Sequence, residues 1–348
     1  MDKYNLDSHK LMYHPEIVSK WKLGQHIYPL YVELSPSGIC NYRCTFCALD
    51  FLGYKNNFLD VNAISEVCYN LGEVGTKAIM LGGEGEPLMH PYISIIIKAI
   101  KNSGIDIGIT TNGSMLKKEL AEEILQYCTW VKFSVNAGDE YTYKKIHGIK
   151  NGDFYNLVVI PNIADAVSYR NKMNLKCNIG VQAVVLKENI DSLNKLAERC
   201  SNIGVDYLVF KPYSQMRESQ NMININYDLL IYELNTIKHD YEDKRFEIIV
   251  RTNALNKSSE KRNYANCQAL PFWSYIRANG DVWNCSAKMS DERFKLGNIY
   301  TDSVSNIWNK DKNIKAVDAK DCRVNCRMDE VNRYLDRIIN PMEHDNFI

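Results

Sequence analysis

The sequence has no excess of charge of either sign. Its 348 residues include 42 lysines and arginines against 42 aspartates and glutamates, a formal net charge of zero at pH 7. This balance offers no basic footprint for nucleic acid or an anionic membrane. The sequence also lacks an apolar run long enough to span a bilayer, and its first ten residues lack the apolar core of a signal peptide. We therefore expect a cytoplasmic protein whose partners include neither nucleic acid nor a membrane.

Internal repeats and low-complexity tracts are also absent. Between residues 28 and 213, short apolar runs alternate with longer amphipathic segments. This alternation predicts βαβ units and a parallel sheet. The predicted strands are 31–34, 78–81, 105–110, 131–135, 176–185 and 207–211, and the predicted helices are 61–71, 92–102, 117–127, 153–171 and 190–200. Six units are too few for a closed eight-stranded barrel, so we predict an α/β fold with a partial (β/α)6 barrel, whose functional groups lie at the C-terminal ends of the strands.

The last third of the chain is organised differently. Residues 214–226 are polar and predict a linker, followed by a helix at 227–239 and a strand at 245–251. Short segments with several cysteines follow, which is typical of a module organised by metal. We predict an N-terminal extension (1–27), a barrel (28–225) and a metal-organised, cysteine-containing domain with a C-terminal helix (226–348).

Cysteine is the residue present in unusual number. There are 11 cysteines, and clustered thiols in the reducing cytosol more often bind metal than pair as disulfides. Cys40, Cys44 and Cys47 form a Cx3Cx2C run directly after the first predicted strand. Cysteine is the usual ligand of [4Fe–4S] clusters, and three ligands leave one iron open. Zinc is the weaker alternative, because a structural zinc site takes four protein ligands.

This run resembles the motif of the radical S-adenosylmethionine (radical SAM) superfamily, and the resemblance covers about residues 28–213. It implies that the methionine moiety of SAM chelates the open iron, and that cleavage of SAM gives methionine and a 5′-deoxyadenosyl radical. The aromatic position of the motif, Phe46, is then expected beside the adenine. We also expect a reducing partner such as flavodoxin or ferredoxin.

A second segment, Gly82-Gly83-Glu84-Gly85-Glu86-Pro87, follows the second predicted strand. Its glycines let backbone groups approach a ligand closely, and Glu84 offers a counter-charge to an ammonium group. The resemblance implies that Gly82, Gly83, Glu84, Glu86 and Pro87 bind the methionine end of SAM. The alternative is a plain turn between a strand and a helix.

Further SAM contacts are expected at the ends of the third and fourth strands. Thr111 and Asn112 end the third strand, while Ser134 and Asn136 share one face of the fourth. Because side chains alternate across a strand, this polar pair faces the barrel interior. The resemblance implies that these residues contact SAM. The alternative for Asn136 is a cap on the next helix.

The last two strands predict the residues that face a substrate. Gln182 lies on the polar face of the fifth strand, and Lys211 and Tyr213 share a face of the sixth. Such groups can bind or deprotonate a substrate, so Gln182, Lys211 and Tyr213 are the candidate catalytic residues; Gln182 is also a candidate SAM contact. A snorkelling lysine and a rim tyrosine are the alternative for the last two.

A second cysteine group consists of Cys267, Cys285, Cys322 and Cys326. Asn279-Gly280 predicts a hairpin turn between the first two. The pattern resembles the C-terminal SPASM module, or its shorter twitch form, and four cysteines suffice for one auxiliary [4Fe–4S] cluster, with a four-cysteine zinc site as the alternative. The other cysteines, Cys68, Cys128, Cys177 and Cys200, are expected to be buried hydrophobic residues.

The two cysteine groups together predict an oxidoreductase. A radical that removes hydrogen from a carbon bearing a hydroxyl leaves a strong reductant, and a fully ligated second cluster is suited to accept its electron. The closest likeness is to radical SAM dehydrogenases of aminocyclitols, which implies a small sugar-like or nucleotide-sugar substrate. A sugar epimerase and a maturase of ribosomal peptides are the alternatives. Only about 27 residues precede the first strand, too few for the peptide-recognition domain that such maturases often carry. The cyclase of molybdopterin synthesis shares this layout but ends in a tail rich in glycine and arginine, and this sequence ends without such a tail.

Overall fold

The structure, a computed structural model, describes residues 2–150, 152–257, 262–309, 316–323 and 325–347. Within these ranges, ten strands form one hydrogen-bonded sheet. The strands are β1 (Tyr31–Leu34), β2 (Ala78–Leu81), β3 (Asp106–Thr111), β4 (Trp130–Ser134), β5 (Asn178–Val184), β6 (Tyr207–Lys211), β7 (Glu247–Val250), β8 (Trp273–Ile276), β9 (Asp281–Trp283) and β10 (Lys295–Asn298). All six strands predicted for the barrel are therefore present.

Strands β1 to β7 are parallel and lie side by side in chain order. Strand β8 pairs in parallel with the other edge of β1, and the antiparallel strands β9 and β10 extend the sheet there. This arrangement confirms the predicted α/β fold with a partial barrel. The strand predicted at 245–251 is β7, which adds a seventh parallel strand beside β6. The sheet thus continues across residue 225, and the three-part division of the chain stays a prediction.

Helices supply the crossover connections that parallel strands require. In the described ranges they are α1 (Pro15–Lys22), α2 (Val61–Glu73), α3 (Ile93–Asn102), α4 (Lys118–Ile124), α5 (Glu140–His147), α6 (Ile160–Lys172), α7 (Ile190–Ile203), α8 (Ile231–Tyr241), α9 (Thr252–Asn256), α10 (Val304–Ile307) and α11 (Asp329–Ile339). Sequence patterns did not predict α5, whose last turn contacts the loop that carries the first cysteine group. None of the described helices has both the length and the apolar character needed to cross a membrane.

The core lies between the sheet and the helices that cover it. Val131, Phe133, Ile179 and Val181 face the helices and are almost fully buried, as the alternation of side chains along a strand predicts. The four spare cysteines, Cys68, Cys128, Cys177 and Cys200, belong to the same apolar core. Their prediction as buried hydrophobic residues is confirmed.

The opposite faces of the strands enclose the barrel interior. Its N-terminal end contains the Tyr207 ring, which packs over Gly180; a Cβ atom on Gly180 would lie 2.1 Å from that ring. Tyr4 of the N-terminal segment stacks on Tyr207 with ring centroids 4.8 Å apart. Tyr4 and Tyr207 therefore occupy part of the bottom of the barrel. A cavity of about 310 Å³, here called the barrel cavity, lies in the interior.

Candidate active site

The first cysteine group lies on the loop that follows β1. Cys40, Cys44 and Cys47 are half-buried, and the Cys47 N–H donates to the Cys44 carbonyl at 3.1 Å. Burial, together with the nearby Cys40 and Cys47, raises the pKa of Cys44 well above its usual value, so the three thiols lie within electrostatic range of one another. Burial also raises the pKa of Cys40 to about 11. The loop therefore favours neutral thiols until a positively charged iron centre stabilises the thiolates.

Helix α5 supports this loop with the carbonyl groups of its last turn. The Arg43 N–H donates to the His147 carbonyl at 3.1 Å, and the Thr45 N–H donates to the Ile146 carbonyl at 2.9 Å. Asp139 caps the start of the helix by accepting from the Thr142 N–H at 2.8 Å. Carbonyls at a helix end have no partner within the helix, so the cysteine loop satisfies them while it is held in place.

His147, in the last turn of α5, connects a cysteine to the barrel. Its Nδ1 lies 3.3 Å from Cys44 Sγ, and its Nε2 lies 3.3 Å from Asn136 Nδ2. The Asn136 side-chain oxygen accepts from the Val184 N–H at 2.6 Å. The Asn136 amide therefore donates to Nε2, so Nδ1 carries the proton and donates to Cys44. Burial lowers the pKa of His147 to about 3, which keeps the ring neutral.

Sequence reasoning missed His147, since α5 was not recognised. The available signal was the aspartate cap, Asp139, and the one-turn spacing between Tyr143 and His147 on an amphipathic helix. Those two residues are fully buried and stack with ring centroids 4.1 Å apart. Because Asp139 caps α5, the alternative role of Asn136 as a helix cap does not hold.

Glu86, in the glycine-rich segment 82–87, connects that segment to the end of β3. Glu86 accepts from the Thr111 hydroxyl at 2.6 Å and from the Asn112 N–H at 2.8 Å. Its own N–H donates to the Ile39 carbonyl, beside the first cysteine, at 2.9 Å. Burial raises the pKa of Glu86 to about 7, against the hydrogen bonds that lower it. Thr111 and Asn112 thus contact Glu86, and their contact with SAM stays a prediction.

Gly85 lies against the cysteine loop itself. A Cβ atom there would lie 2.4 Å from the backbone oxygens of both Ser37 and Ile39. Only glycine permits this approach between the two motifs. The close packing agrees with the predicted function of the segment, in which Gly82, Gly83 and Pro87 remain candidates for SAM binding.

Glu84 has a different role from the one expected. Its carboxylate accepts from the Arg277 guanidinium at 3.1 Å and from the Ala278 N–H at 2.6 Å. Both partners belong to the turn region of the β8–β9 hairpin. The carboxylate is therefore engaged by the C-terminal part of the chain, and the expectation that it balances the SAM ammonium group is corrected. An isolated sequence motif carries no information about a partner almost 200 residues away.

Two other predicted SAM contacts, Phe46 and Ser134, are linked to His147. The Phe46 ring meets the His147 ring edge-on, with centroids 5.4 Å apart. Ser134, at the end of β4, is half-buried and accepts from Asn136 Nδ2 at 3.4 Å. Phe46 and Asn136 thus contact His147, the residue that contacts Cys44, while Ser134 contacts Asn136. The contact of these three residues with SAM stays a prediction.

Tyr213 does not face the barrel cavity, contrary to the prediction. Its hydroxyl donates to the Asn221 carbonyl at 3.1 Å, and its ring belongs to the apolar core. The Asn221 amide in turn donates to the Cys47 carbonyl at 2.9 Å. The segment predicted as a linker therefore packs on the cysteine loop, because its polar groups find partners there. Lys211 and Gln182 do line the cavity.

The second cysteine group is assembled from three separate segments. Cys285 and Cys326 are buried, while Cys267 and Cys322 are half-buried. A hydrogen bond from Cys322 lowers the pKa of Cys326 well below its usual value, and Cys285 and Cys326 both raise that of Cys267, whose pKa is about 12 mainly because of burial. All four thiols therefore lie within one electrostatic neighbourhood.

An apolar cluster that includes Trp273, Tyr275, Trp283 and Phe294 packs around three of these cysteines, Cys267, Cys285 and Cys322. Asn332 of α11 donates to Cys267 Sγ at 3.4 Å. Four thiols in a largely dry shell suit a fully ligated iron–sulfur cluster. Among the described residues, no group of three or more His, Cys, Asp or Glu side chains has the spacing for a single metal ion.

The barrel cavity lies between the two cysteine groups. Ala48, next to Cys47, lines one part of it, while Ser286, next to Cys285, and Arg323, next to Cys322, line another. A molecule in this cavity would thus lie between the cysteine loop and the second cysteine group.

This fold and its three-cysteine loop define an enzyme class that generates radicals from SAM. Residues 34–200 match the family model of the radical SAM superfamily, and residues 244–328 match that of SPASM, an iron–sulfur cluster-binding domain. The chain therefore carries a radical SAM domain followed by a SPASM domain. Its cofactors are SAM, a [4Fe–4S] cluster and an auxiliary iron–sulfur cluster, as predicted.

The chain is similar to a curated protein and to solved structures of two other proteins. The chain is 24% identical to a tungsten-containing aldehyde ferredoxin oxidoreductase cofactor-modifying protein from Pyrococcus furiosus, over 81% of both chains. Among solved structures, Streptococcus suis SuiB bound to S-adenosylmethionine has a TM-score of 0.66 and 19% identity, over 86% of this chain and 70% of SuiB. The protein anSMEcpe with bound AdoMet has a TM-score of 0.59 and 17% identity, over 82% of this chain and 81% of its own. At these identities the two structures show a shared fold.

Proposed function

We propose that this radical SAM enzyme removes hydrogen from a small polyhydroxylated substrate, such as a sugar, a nucleotide sugar or an aminocyclitol, and oxidises an alcohol to a ketone. The observation that carries this proposal is the place of the barrel cavity, which has both cysteine groups beside it. Its volume of about 310 Å³ lies at the lower end of the range for small-molecule sites.

The oxidation removes one hydrogen atom, one proton and one electron from the substrate. When bound, SAM and its cluster would supply the 5′-deoxyadenosyl radical for removal of the hydrogen atom, and the auxiliary cluster would supply an acceptor for the electron. Lys211 is the candidate for the proton. Burial, followed by the surrounding cationic side chains, lowers its pKa to about 7, so the amine can gain or lose a proton near neutral pH. Gln182 also lines the cavity and can orient a hydroxyl.

Oxidation is favoured over epimerisation by the positions of the thiols. An epimerase needs a hydrogen donor, often a cysteine, on the second face of its substrate. No cysteine is among the residues that line the barrel cavity, and the four spare cysteines lie in the core on the other side of the sheet. Replacing each spare cysteine by alanine should leave turnover intact, and total loss in one variant would favour epimerisation.

Modification of a peptide is the second candidate. A structure of SuiB bound to its precursor peptide SuiA has the same fold, with a TM-score of 0.66 over 94% of this chain. The barrel cavity, with a volume of about 310 Å³, favours a small substrate over an extended peptide.

The test is anaerobic incubation of the reconstituted enzyme with SAM and a reductant such as flavodoxin or ferredoxin. We expect a panel of sugars, nucleotide sugars and aminocyclitols to contain a compound that stimulates 5′-deoxyadenosine formation and yields a ketone two mass units lighter. The Cys44→Ala variant is the matched control without radical formation. Stimulation by peptides and by none of the polyols would overturn the proposal.

A further inference from the structure

The barrel cavity is strongly cationic, although the whole chain is neutral. Its lining contains five cationic side chains, Lys132, Lys211, Arg251, Arg323 and Arg327, and one carboxylate, Glu33. The chain as a whole has 42 charges of each sign. An excess of one charge inside a protein is costly unless a partner compensates it. The cavity therefore lacks negative charge.

Three of these cations have partners within the protein. Arg327 forms an ion pair with Glu33, and Arg251 lies 3.8 Å from Asp7. Arg323 hydrogen-bonds Cys326, whose thiolate belongs to the auxiliary cluster. These pairings nevertheless leave two buried donors unused, because Arg323 Nε and Arg327 Nη2 have no hydrogen-bond partner.

Lys132 has no such compensation. It lies on the interior face of β4, paired in register with Thr110 of β3 and Gly180 of β5. Its Nζ lies 5.2 Å from the Trp130 ring, and no carboxylate of the described residues forms an ion pair with it. Burial, followed by the charges of Arg251 and Arg327, lowers the pKa of Lys132 to about 8. The ammonium group thus points to a missing counter-ion.

We propose that the substrate carries an oxyanion, a phosphate or a carboxylate, which binds to Lys132 and Arg251 inside the barrel cavity. Arg323, which also lines the cavity, adds positive charge around it. An oxyanion accepts several N–H donors at once, and guanidinium groups match its geometry. That the anion is part of the substrate rests on the proposed function. The anion site itself rests only on the residues that line the cavity.

The test measures anion binding to the anaerobically reconstituted holoenzyme, saturated with SAM and without reductant, so that SAM is not cleaved. Inorganic phosphate and malonate are titrated by calorimetry, with glycerol as an uncharged control. We expect phosphate, malonate or both to saturate one site, and the stronger binder identifies the chemistry of the oxyanion. Glycerol should give no saturable heat.

Three variants locate the site. Lys132→Gln and Arg251→Gln should each weaken binding of the preferred anion by about tenfold or more, the typical effect of removing a charged hydrogen-bond donor. Lys187→Gln is the matched control, because it removes one positive charge from an exposed lysine on the loop after β5. It should leave anion affinity and uncoupled 5′-deoxyadenosine formation unchanged. Circular dichroism of each variant checks that it is folded.

Several outcomes would overturn this inference. They are an absence of saturable anion binding in the wild-type enzyme, an equal loss in Lys187→Gln, and binding that SAM abolishes by competition. Competition by SAM would mean that these cationic side chains bind the carboxylate of SAM. If the wild-type enzyme binds anions but never forms 5′-deoxyadenosine, the proposed reaction fails while the anion site stands.

Discussion

The two cysteine groups differ in how the chain holds them and in what surrounds them. Cys40, Cys44 and Cys47 lie within eight residues on one loop, and other parts of the chain hold the backbone of that loop. The second group brings together three segments between Cys267 and Cys326 and surrounds them with apolar side chains. Three thiols leave a coordination position for a substrate, whereas four close the ligand set. A cluster that binds a substrate thus depends on a loop whose backbone is held in place, whereas a cluster that accepts electrons depends on apolar surroundings that exclude water.

The two regions are also joined directly. Arg277 of the C-terminal hairpin pairs with Glu84 of the glycine-rich motif. Ser214 donates to the Asn325 carbonyl, next to Cys326, at 3.0 Å, while Asn221 of the same segment supports Cys47. Their relative position is therefore built into the fold.

Removing one cysteine from each group should have the largest effect and the sharpest contrast. The two clusters account for about eight irons per chain, and Cys44→Ala and Cys326→Ala should each retain about four. Addition of SAM should perturb the electron paramagnetic resonance signal of the remaining cluster only in Cys326→Ala. If SAM perturbs the signal of Cys44→Ala, the assignment of the two groups is reversed.

Breaking the connection between the regions should cost several kcal/mol. Arg277→Gln leaves the Glu84 carboxylate, which is 7% exposed, without its ion-pair partner, and such a loss typically costs about 3–5 kcal/mol. The free energy of unfolding in urea measures the effect. The double variant Glu84→Gln/Arg277→Gln should recover part of the loss, since no buried charge is left unpaired. Equal instability of the single and double variants would mean that the pair contributes little.

Altering the contact between the two motifs of the barrel should have an intermediate effect. Gly85→Ala forces a methyl group into the backbone of the cysteine loop, so we expect a loss of about 1–3 kcal/mol and reduced iron incorporation. Gly82→Ala is the matched control, because its Cβ atom would have its closest neighbour, Met80 Cε, at an ordinary 3.6 Å. Similar thermal unfolding midpoints for both variants would disprove the close packing.

Removing the hydrogen bond to Cys44 should have the smallest effect. His147→Phe keeps a ring beside Tyr143 and Phe46 but deletes a bond of about 1 kcal/mol, which corresponds to roughly 40 mV for a one-electron couple. The reduction potential of the SAM cluster should become more negative, as an anaerobic redox titration can measure. Tyr143→Phe, a neighbour that does not donate to a cysteine, should leave the potential unchanged. An unchanged potential in His147→Phe would remove the proposed tuning.

The parts of the structure that sequence predicted well depend on short-range patterns. The alternation of Val131 and Phe133 with polar neighbours predicted which face of β4 is buried, because side-chain direction along a strand is a local property. The Cx3Cx2C spacing predicted the SAM cluster because its three cysteines lie within a few residues of one another on one loop. Tyr213 was predicted wrongly because β6 ends at Lys211, and beyond a strand the alternation no longer fixes the direction of a side chain.

By itself, the sequence thus determined the fold class, the two iron–sulfur groups and the radical SAM chemistry, since these follow from spacings of a few residues. Only the tertiary structure decided what surrounds them. In the folded chain His147 contacts Cys44, and Glu84 forms an ion pair with Arg277. Lys132 and Arg251 line the same cavity. These residues are far apart in the chain, and each is an ordinary polar residue until the parallel sheet brings the ends of its strands together. The charge of the cavity, and with it the class of substrate we propose, is a property of that convergence.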